Sequence, residues 1–213
     1  MISPKDISPL VNLAWLPQTG RVDLRLYGED QELVLQAEQI VRRRLGSLIW
    51  GSDEDTPALV LYSALKERGM SISVVESCTG GLIQNYLTEV DGISEVFRGG
   101  MTSYHNEIKV TMAGVNPDTL DQDGAVSEAV ARQMAMGVQK AFSSDVAIAV
   151  TGVAGPTGGS PDKPVGLVWF GYCVHEAVFS EHLVFNGDRN SIRHKAAEAA
   201  ILRMTRLLIE DKS

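Results

Sequence analysis

The sequence of 213 residues predicts an α/β fold: a three-layer α/β/α domain with a mixed sheet, preceded by a small strand–helix–strand unit. Short apolar segments typical of strands alternate with longer segments in which apolar residues recur at helical spacing. Two further strand-like segments follow one another directly near the end, which indicates a hairpin and therefore an antiparallel part of the sheet. We expect a small α+β domain over residues 1–52 and a larger domain over residues 53–213.

The small unit is predicted from local signals. Residues 22–26 alternate between apolar and polar side chains, as a half-buried strand does. Asp30 is a typical helix N-cap and Gly46 a typical stop, so a helix is expected between them. Residues 47–50 are interpreted as a second short strand. A unit of this size is expected to be too small to be stable by itself.

The larger domain is expected to begin with a helix. Thr56 and Pro57 mark its start, because a capping hydroxyl precedes a proline at the first helical position, and Gly69 marks its end. Ser127 is the expected cap of a later, longer helix. The other elements expected are strands near 72–75, 97–103 and 146–150, helices near 82–90, 106–114 and 191–209, and a hairpin of 165–174 with 177–185.

Composition argues against several classes of function. The net charge is −8 and the sequence pI about 5.0, so no basic stripe of the kind that binds nucleic acid is expected. The hydrophobic fraction of 44% fits a protein with a sizeable core, and no apolar run is long enough to cross a bilayer. Two cysteines do not make a disulfide framework, and no secretory signal is visible. We therefore expect a cytoplasmic protein whose main partner is neither a nucleic acid nor a membrane.

Small and hydroxyl-bearing residues follow two of the predicted strands. Residues 77–81, Ser-Cys-Thr-Gly-Gly, lie between a strand and a helix, whose N-terminus favours an anion such as a phosphate. Residues 151–160 supply four glycines and three hydroxyls, but match neither the Walker A nor the dinucleotide fingerprint. The alternatives are that Thr79 only caps the helix and that residues 151–160 only connect a hairpin. We favour a shared cleft, since ligands of open α/β sheets bind beyond the carboxyl ends of strands.

Lys109 is a third candidate for chemistry. It is expected in the first turn of a short helix, where the helix dipole opposes a positive charge. A lysine in such a field, or one removed from water, has a lowered pKa and can act as a base. The alternative is an ordinary lysine on the surface.

Five motifs occur in the same order as in a known family. They are Glu76-Ser77-Cys78-Thr79-Gly80-Gly81, Tyr104 with Asn106-Glu107 and Lys109, residues 124–128, residues 151–159 and residues 163–169. From about residue 54 to the end, the chain resembles in these motifs the CinA C-terminal domain family, the nicotinamide-nucleotide amidases. Residues 1–52 resemble the small linking domain that precedes this module in full-length CinA proteins. Their larger N-terminal domain is not matched, so its ADP-ribose pyrophosphatase activity is not expected here.

The resemblance implies hydrolysis of nicotinamide mononucleotide (NMN) to nicotinate mononucleotide and ammonia, a step of NAD salvage. An amide carbon needs a nucleophile, a base and donors for the developing oxyanion. No Ser-His-Asp arrangement is evident, so we expect Ser77 to attack, Lys109 to take its proton and Tyr104 to relay or orient. Cys78 is the alternative nucleophile, because a thiol at a helix N-terminus is reactive. The alternative function is a nucleotide-binding module without catalysis.

The substrate is expected along the glycine-rich loops, with backbone N–H groups of residues 78–80 facing the oxyanion. No metal and no cofactor is expected, since no His, Cys, Asp or Glu cluster has ligand spacing. The sequence leaves a homodimer open. The candidate substrate-binding residues are Glu76, Cys78, Thr79, Gly80, Gly81, Ser127, Thr151, Gly152, Gly155, Pro156, Gly158, Gly159, Lys163, Arg189 and Arg193.

Overall fold

A computed structural model describes residues 6–17 and 21–210 of the chain. The chain divides into two compact units, one up to Glu54 and one from Asp55. No helix in the described residues is both long enough and apolar enough to cross a membrane.

The small unit is a β-hairpin followed by a helix. Strands β1 (Asn12–Pro17) and β2 (Val22–Tyr27) pair antiparallel, and helix α1 (Gln31–Leu45) follows them. The Asp30 carboxylate accepts hydrogen bonds from two N–H groups of the first turn of α1, as expected of an N-cap. A small apolar core forms around Ala37 on the inner face of the helix.

The second strand expected at residues 47–50 is wrong. Gly46–Leu48 is a single 3-10 turn, and the residues after it are extended but unpaired with any described strand. Gly46 ends α1 with φ 52°, and its N–H donates to the carbonyl of Arg42. The pairing partner of β2 is β1, which precedes it, so the order in this unit is strand–strand–helix.

The larger unit has a five-stranded mixed sheet. Its strand order is β4–β3–β5–β6–β7, with β3 parallel to β4 and β5, and with β6 and β7 antiparallel. This confirms the mixed α/β fold. The strands are β3 (Ile72–Glu76), β4 (Phe97–Thr102), β5 (Val146–Gly152), β6 (Leu167–Val174) and β7 (Ala177–Val184). The helices are α2 (Pro57–Arg68), α3 (Leu82–Thr88), α4 (Asn106–Thr111), α5 (Pro117–Asp123), α6 (Glu128–Phe142) and α7 (Arg189–Glu210).

Helices cover both faces of this sheet. Alternate strand residues point to opposite faces, so Val74 and Ile148 pack in the core under α2, α3 and α7, whereas Val75 and Ala149 pack in the core under α6. Gly171 lets α6 approach β6 closely, because an added Cβ would lie 2.1 Å from the carbonyl oxygen of Ala131. The three layers are thus two helical layers around a sheet whose three central strands, β3, β5 and β6, are buried.

The expected helix boundaries hold where capping chemistry predicted them. The Thr56 hydroxyl accepts from the N–H of Leu59, Pro57 is the first residue of α2, and Gly69 ends it in the left-handed conformation. Ser127 caps α6 by accepting from the N–H of Val130. Helix α5 was not expected; Asn116 caps it and Pro117 opens it.

The register of the sheet determines where the candidate site lies. Glu76, the last residue of β3, pairs with Thr102 of β4 on one side and with Val150 of β5 on the other. The carboxyl ends of these three parallel strands therefore meet at one edge. Ser77 and Ser103 emerge there directly after their strands.

Candidate active site

Ser77 and Lys109 are in direct contact at this edge of the sheet. Lys109 Nζ donates to Ser77 Oγ at 3.0 Å and to the carbonyl oxygen of Ser103 at 2.7 Å. The Ser77 N–H donates to the carbonyl of Val150 at 2.9 Å, so the turn after β3 is held against β5. A hydroxyl and an amine within hydrogen-bond reach are the arrangement that a serine nucleophile with a lysine base requires.

Lys109 is buried rather than a surface lysine. Only 1% of the residue is exposed, and removal from water lowers the pKa of its amine below the ordinary value of 10.5. Of the two causes expected from the sequence, a helix dipole and removal from water, the structure supports the second. Lys109 is the fourth residue of a six-residue helix and lies in its last turn, so burial rather than the helix terminus disfavours the charge.

The alternative nucleophile, Cys78, lies in the hydrophobic core. It is 5% exposed and belongs to the apolar cluster under α2, α3 and α7. Burial raises the pKa of its thiol to about 12, which outweighs the opposing effect of nearby backbone N–H groups. A thiol that stays protonated at neutral pH is a poor nucleophile. The geometry therefore favours the hydroxyl of Ser77.

Glu76 does not face a ligand site, contrary to its place among the substrate-binding candidates. It is fully buried, and both carboxylate oxygens accept hydrogen bonds from the start of α3: Oε2 from the N–H groups of Gly81 and Ile83, and Oε1 from the N–H and side chain of Gln84. A carboxylate at a helix N-terminus is stabilised there by the unpaired N–H groups. Glu76 thus fixes the turn that presents Ser77.

This turn leaves a defined set of backbone donors. Gly80 and Gly81 have φ of 64° and 98°, a conformation that side chains rarely adopt. The Gly80 N–H donates to the Ser77 carbonyl, and that of Gly81 to Glu76. The candidate oxyanion donors expected at 78–80 are therefore reduced to the N–H groups of Cys78 and Thr79.

Two arginines of α7 join the three loops of the site. Arg189 donates to the carbonyl of Gly155 at 2.9 Å and to the Tyr104 hydroxyl at 2.9 Å. Arg193, one turn later, donates to the carbonyl of Thr79 at 2.8 Å. The turn after β3, the segment after β4 and the loop after β5 are thereby held together. Tyr104 itself is 59% exposed, so its ring lines the surface of the site.

The glycine-rich loop is packed tightly at several points. The Thr151 hydroxyl is buried and donates to the carbonyl of Ala125, so its place is structural. An added Cβ would lie 2.7 Å from the Leu167 carbonyl oxygen at Gly152, and 2.5 Å from a Val165 methyl at Gly155. The bond from Gly155 to Pro156 is cis, and Gly158 has φ 86°. Gly159 has an exposed position in the same loop.

Ser127 and Lys163 line a cavity of about 300 Å³ with Trp169 and His182, and neither Ser77 nor Lys109 borders this cavity. Lys163 Nζ donates to the carbonyl of Asp123, and the Ser127 hydroxyl donates to that of Gly124. Among the described residues, none of these contacts reaches Ser77 or Lys109. A second cavity, of about 500 Å³, is lined by residues around Asp145 at the opposite ends of the strands.

Ser103 is a residue of the site to which the sequence motifs assigned no role. Its carbonyl holds Lys109, and its N–H donates to the carbonyl of Glu76 at 2.8 Å. The available signal was its position directly after β4, at the carboxyl end of a strand beside β3.

Comparisons with known proteins agree with this fold. The model of the CinA C-terminal domain family matches residues 54–208. A CinA-like protein of Syntrophomonas wolfei is 42% identical over 204 residues, which cover 92% of this chain and 49% of that protein. A CinA-like protein of Kosmotoga olearia is 40% identical over 191 residues, 90% of this chain and 46% of that protein. The chain spans about half the length of the curated relatives it matches.

A solved structure gives the same result for the larger part of the chain. The crystal structure of the competence/damage inducible protein CihA from Agrobacterium tumefaciens superposes with a TM-score of 0.70 at 37% identity. The match covers 76% of this chain and 98% of that one. The chain therefore belongs to the CinA C-terminal domain family.

Proposed function

We propose that the chain is an amidase that hydrolyses the carboxamide of NMN to nicotinate mononucleotide and ammonia. The observation that carries the proposal is the contact of 3.0 Å between the buried amine of Lys109 and the hydroxyl of Ser77. An amine with a lowered pKa is neutral in a larger fraction of molecules, and only the neutral form can accept a proton. The CinA family membership and the resemblance to its amidase motifs support the choice of substrate.

The chemistry has two stages. In the first, Ser77 Oγ attacks the carboxamide carbon while its proton passes to the neutral Lys109, and the C=O electron pair moves onto oxygen. The tetrahedral intermediate then expels ammonia, which takes the proton back from Lys109. In the second stage, water attacks the acyl ester and gives a proton to Lys109. The tetrahedral intermediate then expels Ser77 Oγ, which takes that proton back from Lys109, and the nicotinic acid product loses its own proton to solvent.

The surrounding groups supply binding and charge stabilisation. We assign stabilisation of the developing oxyanion to the backbone N–H groups of Cys78 and Thr79, which also oppose the rise in the pKa of the Cys78 thiol. The exposed Tyr104 ring and the loop after β5 form the sides of the proposed substrate site. Arg189 and Arg193 hold those segments through carbonyl and hydroxyl oxygens. Each guanidinium has five N–H donors, so donors remain for the phosphate of the nucleotide.

The test is ammonia release from NMN by the purified chain, measured beside binding of NMN by calorimetry. If the chain is an amidase, ammonia release should increase in proportion to time. Ser77→Ala should abolish this release but still bind NMN. The matched control is Ser63→Ala, which removes an exposed hydroxyl of α2 that donates only to the Leu59 carbonyl. Binding without ammonia release in the unmodified chain would instead identify a nucleotide-binding module.

A further inference from the structure

Within the described part of the chain, Lys109 has one bonding direction without a partner. Its tetrahedral nitrogen has three directions besides the carbon. One is directed at Ser77 Oγ, and a second donates to the Ser103 carbonyl. If the lone pair of the neutral amine is to face Ser77, both of its N–H groups must bind elsewhere. One of them has the Ser103 carbonyl, and the other still needs an acceptor.

The described residues contain two buried side-chain oxygens that lack a partner, and neither accepts from Lys109 Nζ in the structure. One belongs to Ser103, whose carbonyl holds Lys109, and the other to Thr79, two positions after Ser77. They are Ser103 Oγ and Thr79 Oγ1, each on a residue that is 0% exposed. A buried hydroxyl without a hydrogen bond costs about 1–3 kcal/mol, so such atoms are uncommon and call for an explanation. Ser103 is the closer fit, because the same residue already holds Lys109 Nζ through its carbonyl at 2.7 Å.

Resting on the amidase mechanism proposed above, we propose that Ser103 is a positioning residue: its hydroxyl turns toward Lys109 when the amine is neutral, accepts the remaining N–H and so aims the nitrogen at Ser77 Oγ. With the Ser103 carbonyl and hydroxyl both accepting, the neutral amine can turn only its lone pair toward Ser77. After proton transfer, the new N–H of the ammonium is the one that faces the leaving nitrogen. The hydroxyl takes no proton itself, so the balance of the reaction is unchanged.

Two serine variants separate this role from a structural one. Ser103→Ala should lower kcat roughly tenfold, the effect of losing one hydrogen bond of ordinary strength, with KM unchanged. Its melting temperature should fall only slightly, because the variant loses the one proposed hydrogen bond to Lys109, whereas a purely structural role would lower the melting temperature without this loss of kcat. Ser103→Thr keeps the hydroxyl and should restore kcat to within roughly threefold of the unmodified chain.

The matched control is Ser73→Ala in β3. The Ser73 hydroxyl is equally buried but is paired with the Ser144 hydroxyl at 2.7 Å. Its loss should lower the melting temperature and leave kcat unchanged. A loss of kcat in Thr79→Val with none in Ser103→Ala would assign the acceptor to Thr79 and overturn the proposal.

A titration separates this proposal from the substrate assignment, because it needs no turnover. The pKa of Lys109 is measured by carbon NMR on chain labelled at the lysine Cε, with the resonance assigned by its absence in Lys109→Arg. An acceptor favours the ammonium, so Ser103→Ala should lower that pKa further, by roughly one unit. The Cys78 thiol, the ionisable group that acts on Lys109, stays neutral over this range because its pKa is about 12.

The outcomes are distinct. If Ser103→Ala lowers the pKa of Lys109 but the unmodified chain releases no ammonia from NMN, the contact between Ser103 and Lys109 is supported and NMN is rejected as the substrate. Ammonia release that is equal in the unmodified chain and Ser103→Ala, with an equal pKa, rejects the contact and keeps the amidase.

Discussion

Replacing Lys109 by methionine tests two claims in one variant: that Lys109 is the general base, and that burial of its amine costs stability. Methionine fills a similar volume, but its thioether cannot take a proton from Ser77. The loss of a positioned base should lower kcat roughly 10²–10⁴-fold. Lys109→Arg should be nearly as inactive, because a guanidinium does not release its proton at these pH values. Lys66→Met on the exposed side of α2 is the control, since that amine pairs only with surface groups.

The same variant should change how stability depends on pH. The pKa of Lys109 is lowered in the folded chain, so between that pKa and 10.5 the unfolded chain binds more protons. The unmodified chain therefore gains stability as pH rises through this window, and below it bears the full cost, about 1.4 kcal/mol for each unit of lowering. Lys109→Met lacks this dependence. The difference in melting temperature, Lys109→Met minus the unmodified chain, should therefore be largest at pH values below the lowered pKa. This difference should decrease as the pH rises toward 10.5.

Calorimetric melting curves across pH and the pH profile of ammonia release test both parts. Activity should rise with pH as the neutral amine fills, with the midpoint below 10.5. A constant difference in melting temperature at every pH would refute the argument that burial lowers this pKa. Full activity of Lys109→Met would refute the role of Lys109 as the general base.

Three other substitutions test the scaffold of the site. Glu76→Gln should lower the free energy of unfolding by about 2–4 kcal/mol in urea titrations, because the amide cannot accept all four bonds; an unchanged midpoint would contradict its capping role. Gly171→Ala should cost at least about 3 kcal/mol in the same assay, since its Cβ would meet the Ala131 carbonyl, and a smaller loss would mean that α6 can shift. Arg189→Lys should raise KM for NMN as much as Arg189→Ala does, because an ammonium cannot hold a carbonyl and the Tyr104 hydroxyl as a planar fork; rescue by lysine would show that only the charge matters.

The sequence predicted best where local chemistry determines structure. Thr56 with Pro57 and the cap at Ser127 mark helix starts because their hydrogen bonds lie within one turn. The glycine-rich segments follow strands whose carboxyl ends meet, because parallel strands share one edge. The strand expected at 47–50 failed because pairing is not local: β2 is paired by β1, and the alternation of residues 22–26 does not say which neighbour it has.

The roles of individual site residues depended on burial, which spacing does not show. Glu76 stands beside Ser77 in the motif, yet faces the helix that follows and not the ligand. The sequence allows two causes for a lowered pKa of Lys109, a helix dipole and removal from water, and the fold supports the second. Cys78 and Ser77 are neighbours with similar chemistry, and only the fold shows that one lies in the apolar core and the other against the amine.

The most direct test of the central claim compares Ser77→Ala with Cys78→Ser in ammonia release from NMN, with Cys173→Ser as a control for loss of another buried thiol. The account predicts that Ser77→Ala is inactive and that Cys78→Ser keeps most of the rate, as Cys173→Ser does. An active Ser77→Ala beside an inactive but folded Cys78→Ser would contradict it and assign the nucleophile to the thiol.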